Sequence, residues 1–155
     1  MFHIFTVALF GHRTISEVIP IERKINEIVH QLINDKTYVD FLVGRDGDFD
    51  VIASSVIHRV KKQSFSANSS LVWIMPYETE EWRNNTDYYE NYYDEIELCH
   101  ESASSHFKGA IQKRNRYMVD RADLIVCFVK NKGGAYKTMQ YALKKGKKVI
   151  NLYEV

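Results

Sequence analysis

The sequence predicts an α/β protein with a Rossmann-like three-layer sandwich, in which helices cover both faces of a mainly parallel sheet. Three observations lead to this prediction. Short apolar runs alternate with segments whose apolar residues recur at helical spacing. The first apolar run is continuous, as expected of a parallel strand that is buried on both faces. Glycine-rich turns follow several of the runs, where each strand would connect to a helix.

The first half of the chain predicts the order βαβαβ. The first strand ends at Gly11, and a helix follows in which Pro20 suits the first turn. A second amphipathic helix begins near Phe49, after the turn that starts at Gly44. The third strand ends at Pro76. The strands predicted in this half are residues 4–10, 38–43 and 71–75.

The second half predicts an insertion followed by the order αβαβ. Residues 78–107 are expected to be irregular, polar and aromatic, with a short strand at 94–98. A loop of this length in a compact domain is usually functional or mobile. The whole chain, residues 1–155, is predicted to form a single domain. The remaining predicted elements are a helix at 108–121, a strand at 124–129, a helix at 138–145 and a strand at 149–152.

Composition excludes several functional classes. The formal net charge is +1, so the bulk charge gives no reason to expect binding to nucleic acid or to a membrane. No segment approaches the roughly 18 apolar residues of a membrane span, and we find no signal peptide. Cys99 and Cys127 lack the spacing of a metal or redox site. We therefore expect a cytoplasmic protein with no metal and no cofactor.

Glycine, arginine and other polar residues follow four of the predicted strands, and two further polar residues lie on the helix before Gly133 and Gly134. The carboxyl ends of parallel strands meet at one edge, where open α/β sheets bind their ligands. A glycine turn at a helix start offers backbone N–H groups to phosphate, and arginines offer paired donors. The helix that carries Arg114 is expected to end near this edge. The predicted ligand-binding residues are Gly11, His12, Arg13, Gly44, Arg45, Asp46, Pro76, Tyr77, Arg114, Asn115, Met118, Gly133, Gly134 and Thr138.

Several of these residues have a simpler structural interpretation. His12 either contacts a ligand phosphate or base, or only satisfies carbonyl groups of its turn. Asp48 is expected to cap the following helix, and Asp123 to fix the turn into the next strand. The four tyrosines within residues 88–93 favour packing over base stacking. Tyr77 is the preferred stacking residue because it directly follows a strand.

Four segments together resemble the SLOG superfamily, which joins the Smf/DprA and Lonely Guy proteins, and in particular its small YpsA-like branch. They read TVALFGHR at 6–13, GRDGDFD at 44–50, RNRYMVD at 114–120 and GGAYKT at 133–138. The similarity covers nearly the whole chain outside residues 78–107. It implies a Rossmann-like fold and a nucleotide or nucleotide-derived ligand at the strand ends. Some superfamily members sense NAD-derived or cyclic signal nucleotides without chemistry.

Lonely Guy enzymes hydrolyse the N-glycosidic bond of nucleoside monophosphates, using an Arg-x-x-x-Met helix and a PGGxGTxxE turn. Arg114 and Met118 match the first motif. The second departs from it: no proline precedes Gly133, one extra residue follows the glycines, and Tyr141 replaces the glutamate. That glutamate would supply acid/base chemistry. Asp120 is the candidate catalytic replacement, with Asp46 or Asp48 as the other carboxylates considered.

The leading hypothesis is a protein that binds a nucleotide or an ADP-ribose-like derivative as a sensor, carrier or sequestering protein. The alternative is a hydrolase or transferase that acts on the N-glycosidic bond of a nucleotide. A third hypothesis is a structural partner protein that uses the acidic, tyrosine-rich segment 88–98 as its interface. We also expect a homodimer or a larger homo-oligomer, and no partner of nucleic acid or membrane.

Overall fold

The computed structural model describes residues 3–155 and confirms the predicted Rossmann-like α/β architecture. Six parallel strands form one sheet in the order β4-β3-β2-β1-β5-β6, with helices on both faces. The strands are β1 (Ile4–Gly11), β2 (Tyr38–Val43), β3 (Ser69–Met75), β4 (Glu95–Leu98), β5 (Leu124–Phe128) and β6 (Lys148–Asn151). The helices are α1 (Val18–Asp35), α2 (Asp48–Gln63), α3 (Glu80–Asn84), α4 (Thr86–Tyr92), α5 (His100–Ala103), α6 (Phe107–Arg121) and α7 (Gly134–Lys144).

The two faces of the sheet have separate apolar cores because alternate residues of each strand point to opposite sides. Leu9 of β1 packs in the core that contains Ile21 and Ile25 of α1. Ala8, the adjacent residue of β1, packs in the core that contains Met118 of α6 and Ala142 of α7. The connections that leave β1 and β5 therefore diverge to opposite faces, which makes the gap between these neighbouring strands the topological switch point.

Most of segment 78–107 is helical, where the sequence predicted irregular structure. It contains α3, α4, α5 and the short strand β4, of which only the strand was predicted. Thr79 caps α3 by accepting a hydrogen bond from the Trp82 amide at 3.1 Å. Tyr89 and Tyr93 are buried against Trp73, which confirms the packing interpretation for these two tyrosines. Aromatic contacts thus stabilise α4, a helix that is too short to show a helical repeat in the sequence.

Two aspartates attach the amino ends of β4 and β5 to the strand beside them. Asp123 donates its backbone N–H to the Thr6 carbonyl at 2.7 Å, and its carboxylate accepts the Thr6 N–H at 2.9 Å. Asp94 makes the same two contacts with Leu71, at 2.9 and 2.7 Å. The prediction that Asp123 fixes the turn into its strand is confirmed.

Within residues 3–155, none of the helices combines the length and the apolar character that crossing a bilayer requires. The longest apolar segments are instead the strands. β3 is buried along its whole length, as expected for an interior parallel strand covered on both faces.

Candidate functional site

A cavity of ≈ 270 Å³ lies at the switch point, beyond the carboxyl ends of β1 and β2. The loop after β1, the loop after β2, the first half of α6 and the start of α7 form its walls. Eight of the predicted ligand residues line it: Gly11, His12, Arg13, Gly44, Asp46, Arg114, Asn115 and Gly134. Residues that the prediction did not include, among them Gly47, Asp50 and Gln112, complete the lining.

The predicted direction of the helix that carries Arg114 is wrong. α6 begins at the ligand edge and ends at the opposite edge, because β5 must start there in order to run parallel to β1. Its first half therefore reaches the cavity, through Ile111, Gln112 and Asn115 as well as Arg114.

Arg114 is a buried cation that joins three parts of the fold. Only 1% of the residue is exposed. Its guanidinium donates to the Ile74 carbonyl at 2.8 Å and to Asn115 Oδ1 at 2.9 Å, and it forms an ion pair with Asp46. A Cβ atom at Gly44 would lie only 2.9 Å from Arg114 Nη2. Arg114 thus shapes the floor of the cavity, and most of its donor capacity is already used by the protein.

Asp50 is the functional candidate that the sequence prediction missed. It lies in the first turn of α2, lines the cavity, and accepts the Asp46 N–H through Oδ2 at 2.9 Å. Burial raises the pKa of Asp50 to about 6, although the nearby Arg114 charge opposes this shift. The signal in the sequence is the pair of carboxylates around the start of α2, with Asp46 two residues before the helix and Asp50 in its first turn.

Arg13 is the exposed cation of the site. Its guanidinium makes no hydrogen bond or salt bridge within residues 3–155, and its charge lowers the pKa of Asp50. The Arg13 carbonyl accepts the Asp48 N–H at 2.8 Å, which fixes the loop after β1 against the start of α2. A Cβ atom at Gly47 would lie 2.5 Å from Arg13 Cα, so glycine is required for this contact.

His12 attaches the loop after β5 to the loop after β1. Its Nε2 accepts the backbone N–H groups of Lys130 at 2.8 Å and Asn131 at 3.1 Å. It therefore binds turn amides, whereas the simpler interpretation assigned it to turn carbonyls. Burial lowers the pKa of His12, partly opposed by Glu17. Because Nε2 accepts two N–H groups, the neutral ring carries its proton on Nδ1.

The start of α7 presents backbone N–H groups near the cavity. Gly133 is the N-cap, with φ at 149° and no side-chain cap, and the first intrahelical bond runs from the Lys137 N–H to its carbonyl at 3.0 Å. The helix therefore supplies no acceptor for the N–H groups of Gly134, Ala135 and Tyr136. Gly134 and Ala135 line the cavity. The helix begins one turn earlier than predicted.

The remaining predicted ligand residues do not line the cavity. Arg45 contacts the tyrosine cluster, with Nη1 3.2 Å from the Tyr93 hydroxyl. Tyr77 makes an edge contact with Phe107, and the carbonyl of Pro76 accepts a hydrogen bond from Ser102 at 2.6 Å. Met118 and Thr138 are buried, and Gly133 lies just outside as the cap of α7.

The catalytic candidate Asp120 is contradicted by its position. It lies at the end of α6, on the opposite edge of the sheet from the cavity. Both of its carboxylate oxygens accept the Tyr141 hydroxyl, at 2.8 and 3.0 Å, and this contact raises the pKa of Tyr141. Asp48 is also reassigned: Gly47 is the N-cap of α2, and the Asp48 carboxylate accepts the Ile15 N–H at 2.9 Å.

No protein-family model matches the chain, and no curated protein is significantly similar to it in sequence. Within residues 3–155, no three histidine, cysteine, aspartate or glutamate side chains form a group that could hold a metal ion.

Proposed function

We propose that this protein binds a nucleotide or a nucleotide derivative at the switch-point cavity and acts as a sensor, carrier or sequestering protein. The observation that supports this most directly is the meeting of an exposed arginine, Arg13, with the glycine start of α7 at one cavity. Backbone N–H groups at a helix start bind phosphate well, and a guanidinium adds a charged pair of donors.

Arg13 and the start of α7 are the proposed phosphate site, in place of Arg114. The guanidinium of Arg114 is buried and already hydrogen bonded to a carboxylate, an amide and a carbonyl. A phosphate there would have to compete with Asp46. Arg13 has no such competitor within residues 3–155 and is exposed beside the cavity.

The size of the cavity favours a ligand that is only partly enclosed. At ≈ 270 Å³ it is slightly below the roughly 300–1,000 Å³ of pockets that enclose drug-sized molecules. A sugar phosphate would occupy it, and the rest of an ADP-ribose-like ligand would extend outside. Membership of the SLOG superfamily remains part of this proposal, supported by the four sequence segments and the Rossmann-like fold.

A second candidate function is hydrolysis of an N-glycosidic bond, and Asp50 is the observation that favours it. Water would attack the anomeric carbon while the C–N bond breaks and its electron pair leaves with the base. Asp50 would take the proton from that water and return it to the departing base. A carboxyl group whose pKa of about 6 lies close to neutral pH is suited to such transfers.

We further propose that the protein forms a homodimer or a larger homo-oligomer. Tyr88 of α4 is 61% exposed, while Tyr89 beside it is buried, so the outer side of the tyrosine-rich helix is available to a second copy. Light scattering at micromolar concentration tests this, and a monomer would reject it. A cytoplasmic location is proposed as well, supported by Cys99 and Cys127, which are free and buried.

Binding is tested by calorimetry with AMP and ADP-ribose on the whole chain. Arg13→Ala is expected to weaken binding about tenfold or more, because a charge-assisted hydrogen bond contributes roughly 1.5–3 kcal/mol. Arg23→Ala is the matched control, since it removes an exposed arginine from α1 outside the cavity. Equal affinity of wild type and Arg13→Ala would remove the phosphate assignment, and no binding of either ligand would reject the proposed function.

A further inference from the structure

The carboxylate of Asp50 has hydrogen-bonding capacity that the protein does not use. The residue is only 9% exposed, and it lines the cavity. Oδ2 accepts the Asp46 N–H, and no other hydrogen bond reaches this carboxylate within residues 3–155. Asp50 Oδ1 is not fully enclosed by the protein, so a ligand group in the cavity can reach it and donate a hydrogen bond to it.

The charges around Asp50 determine which part of a ligand can reach it. Asp46 lies beside it and is paired with Arg114, so the floor of the cavity holds two carboxylates and one buried guanidinium. A phosphate at this floor would add further negative charge next to Asp50. Arg13, which lines the cavity and has no salt bridge within residues 3–155, is exposed instead. The polarity of the cavity therefore favours a neutral hydroxyl group at the floor, next to Asp50, and the phosphate near Arg13 and the start of α7.

The position of the two carboxylates along the fold agrees with a sugar contact. Asp46 and Asp50 both follow β2 at the carboxyl edge of the sheet. In Rossmann folds that bind dinucleotides, an acidic residue about 20 residues after the glycine-rich turn hydrogen-bonds the ribose 2′-hydroxyl, so a carboxylate at this edge is chemically suited to a sugar. Asp46 is engaged by Arg114, whereas Asp50 has an unused acceptor.

We propose that Asp50 accepts a hydrogen bond from the 2-hydroxyl group of a ribose phosphate, so that the cavity takes the sugar first and selects ribose over 2-deoxyribose. This inference rests on the proposed function, because it assigns the ligand class of the same cavity. Burial at this position disfavours the charged carboxylate, as its raised pKa indicates, so Asp50 is unfavourable for the empty fold. Its placement is explained by a contact with the ligand.

The test is calorimetry of the whole chain with ribose 5-phosphate, 2-deoxyribose 5-phosphate and inorganic phosphate. We expect wild type to bind ribose 5-phosphate about tenfold or more tightly than the deoxy compound, as one hydrogen bond to a charged acceptor provides. Asp50→Asn is expected to reduce this ratio to less than about threefold, since a neutral amide oxygen is a weaker acceptor, and to leave phosphate binding in place. Asp48→Asn, which removes the neighbouring carboxylate outside the cavity, keeps the ratio.

Each outcome separates this inference from the proposed function. Equal affinity of wild type for the two sugar phosphates would overturn the inference and leave phosphate binding intact. The same would follow if Asp50→Asn kept the wild-type ratio. Failure to bind either sugar phosphate while AMP or ADP-ribose binds would overturn the inference alone, and failure to bind AMP and ADP-ribose as well would overturn the proposed function. The wild-type ratio does not depend on how any variant folds.

Discussion

The guanidinium of Arg114 fills the space that a Cβ atom at Gly44 would occupy. Such an atom would lie 2.9 Å from Nη2 and 3.0 Å from Cζ and Nη1. The end of a free arginine side chain could move away, but this one is held by Ile74, Asn115 and Asp46. Gly44 is therefore required by close approach, and its φ angle is not positive.

Gly44→Ala is expected to lower the free energy of unfolding by about 1–3 kcal/mol, because the added methyl group displaces a packed and hydrogen-bonded side chain. Urea denaturation measures the loss. Gly109→Ala is the matched control: Gly109 lies in α6, and a Cβ atom added there would meet no atom within 4 Å, so alanine should stabilise by up to about 1 kcal/mol. Equal stability of wild type and Gly44→Ala would contradict the contact.

Arg114→Ala is expected to destabilise the protein by about 3–5 kcal/mol, because it leaves Asp46 and Asp50 next to each other without their buried counter-charge. Arg114→Lys should recover only part of this loss, since an ammonium group cannot reproduce the planar arrangement of donors. Urea midpoints of the three proteins give the comparison. Equal urea midpoints for wild type and both variants would contradict the buried ion pair and make Arg114 a surface residue.

Asp50→Asn is expected to stabilise the protein by about 1–3 kcal/mol at pH 7.5. The pKa of Asp50 rises from 3.8 to about 6 on folding, so between these values the native state binds more protons than the unfolded state. The contribution of Asp50 to stability therefore decreases as pH rises through this window and is unfavourable above it. The gain from asparagine should nearly vanish at pH 4. A gain that is constant from pH 4 to pH 7.5 would contradict the assignment.

Gly134→Val is expected to remove ligand binding while the protein stays folded. A Cβ atom at Gly134 would lie 3.1 Å from Gln112 Nε2, the end of a flexible side chain that can move. The larger side chain would then occupy the part of the cavity next to the first N–H groups of α7. Circular dichroism checks the fold, and calorimetry with ADP-ribose checks the site. Unchanged affinity would exclude this helix start from binding.

Rapid hydrolysis of nucleoside monophosphates is not expected. Tyr141 occupies the position at which the Lonely Guy motif, which the sequence resembles only in part, has glutamate, and it contacts Asp120 far from the cavity. Base release followed by chromatography measures the reaction. Asp120→Asn should leave any residual rate unchanged. Turnover near 1 per second that is lost in Asp50→Asn would establish the hydrolase function instead.

The sequence could predict that the strand ends meet at one edge, because this follows from the parallel topology of the sheet alone. Apolar runs located the strands, and parallel pairing brings Gly11, Gly44 and Gly134 to one edge whatever the details of packing. The direction of α6 also follows from topology, since a helix between parallel strands must return to the amino edge. The same constraint puts Asp120, at the end of α6, on the edge opposite the cavity.

The role of Asp50 could not be recognised from residue type alone. Asp46, Asp48 and Asp50 alternate along the chain, yet they have three different roles. Asp46 pairs with Arg114, Asp48 fixes the Ile15 amide, and Asp50 faces the cavity. Asp46 and Asp48 owe their roles to contacts with residues more than thirty positions away in the sequence. Helices α3 and α4 depend in the same way on Trp73, which contacts Trp82 and Tyr89.

The paired contacts of Asp94 and Asp123 have a consequence for how the sheet is aligned. Parallel strands have no tight hairpin turn to set their register, and a shift by one residue would move every core side chain to the wrong face. Each aspartate engages both the N–H and the carbonyl of a single residue on the neighbouring strand, Leu71 or Thr6. A misaligned strand would lose that bidentate match at its first residue. The two aspartates thus favour the correct register of β4 and β5 from the amino end of each strand.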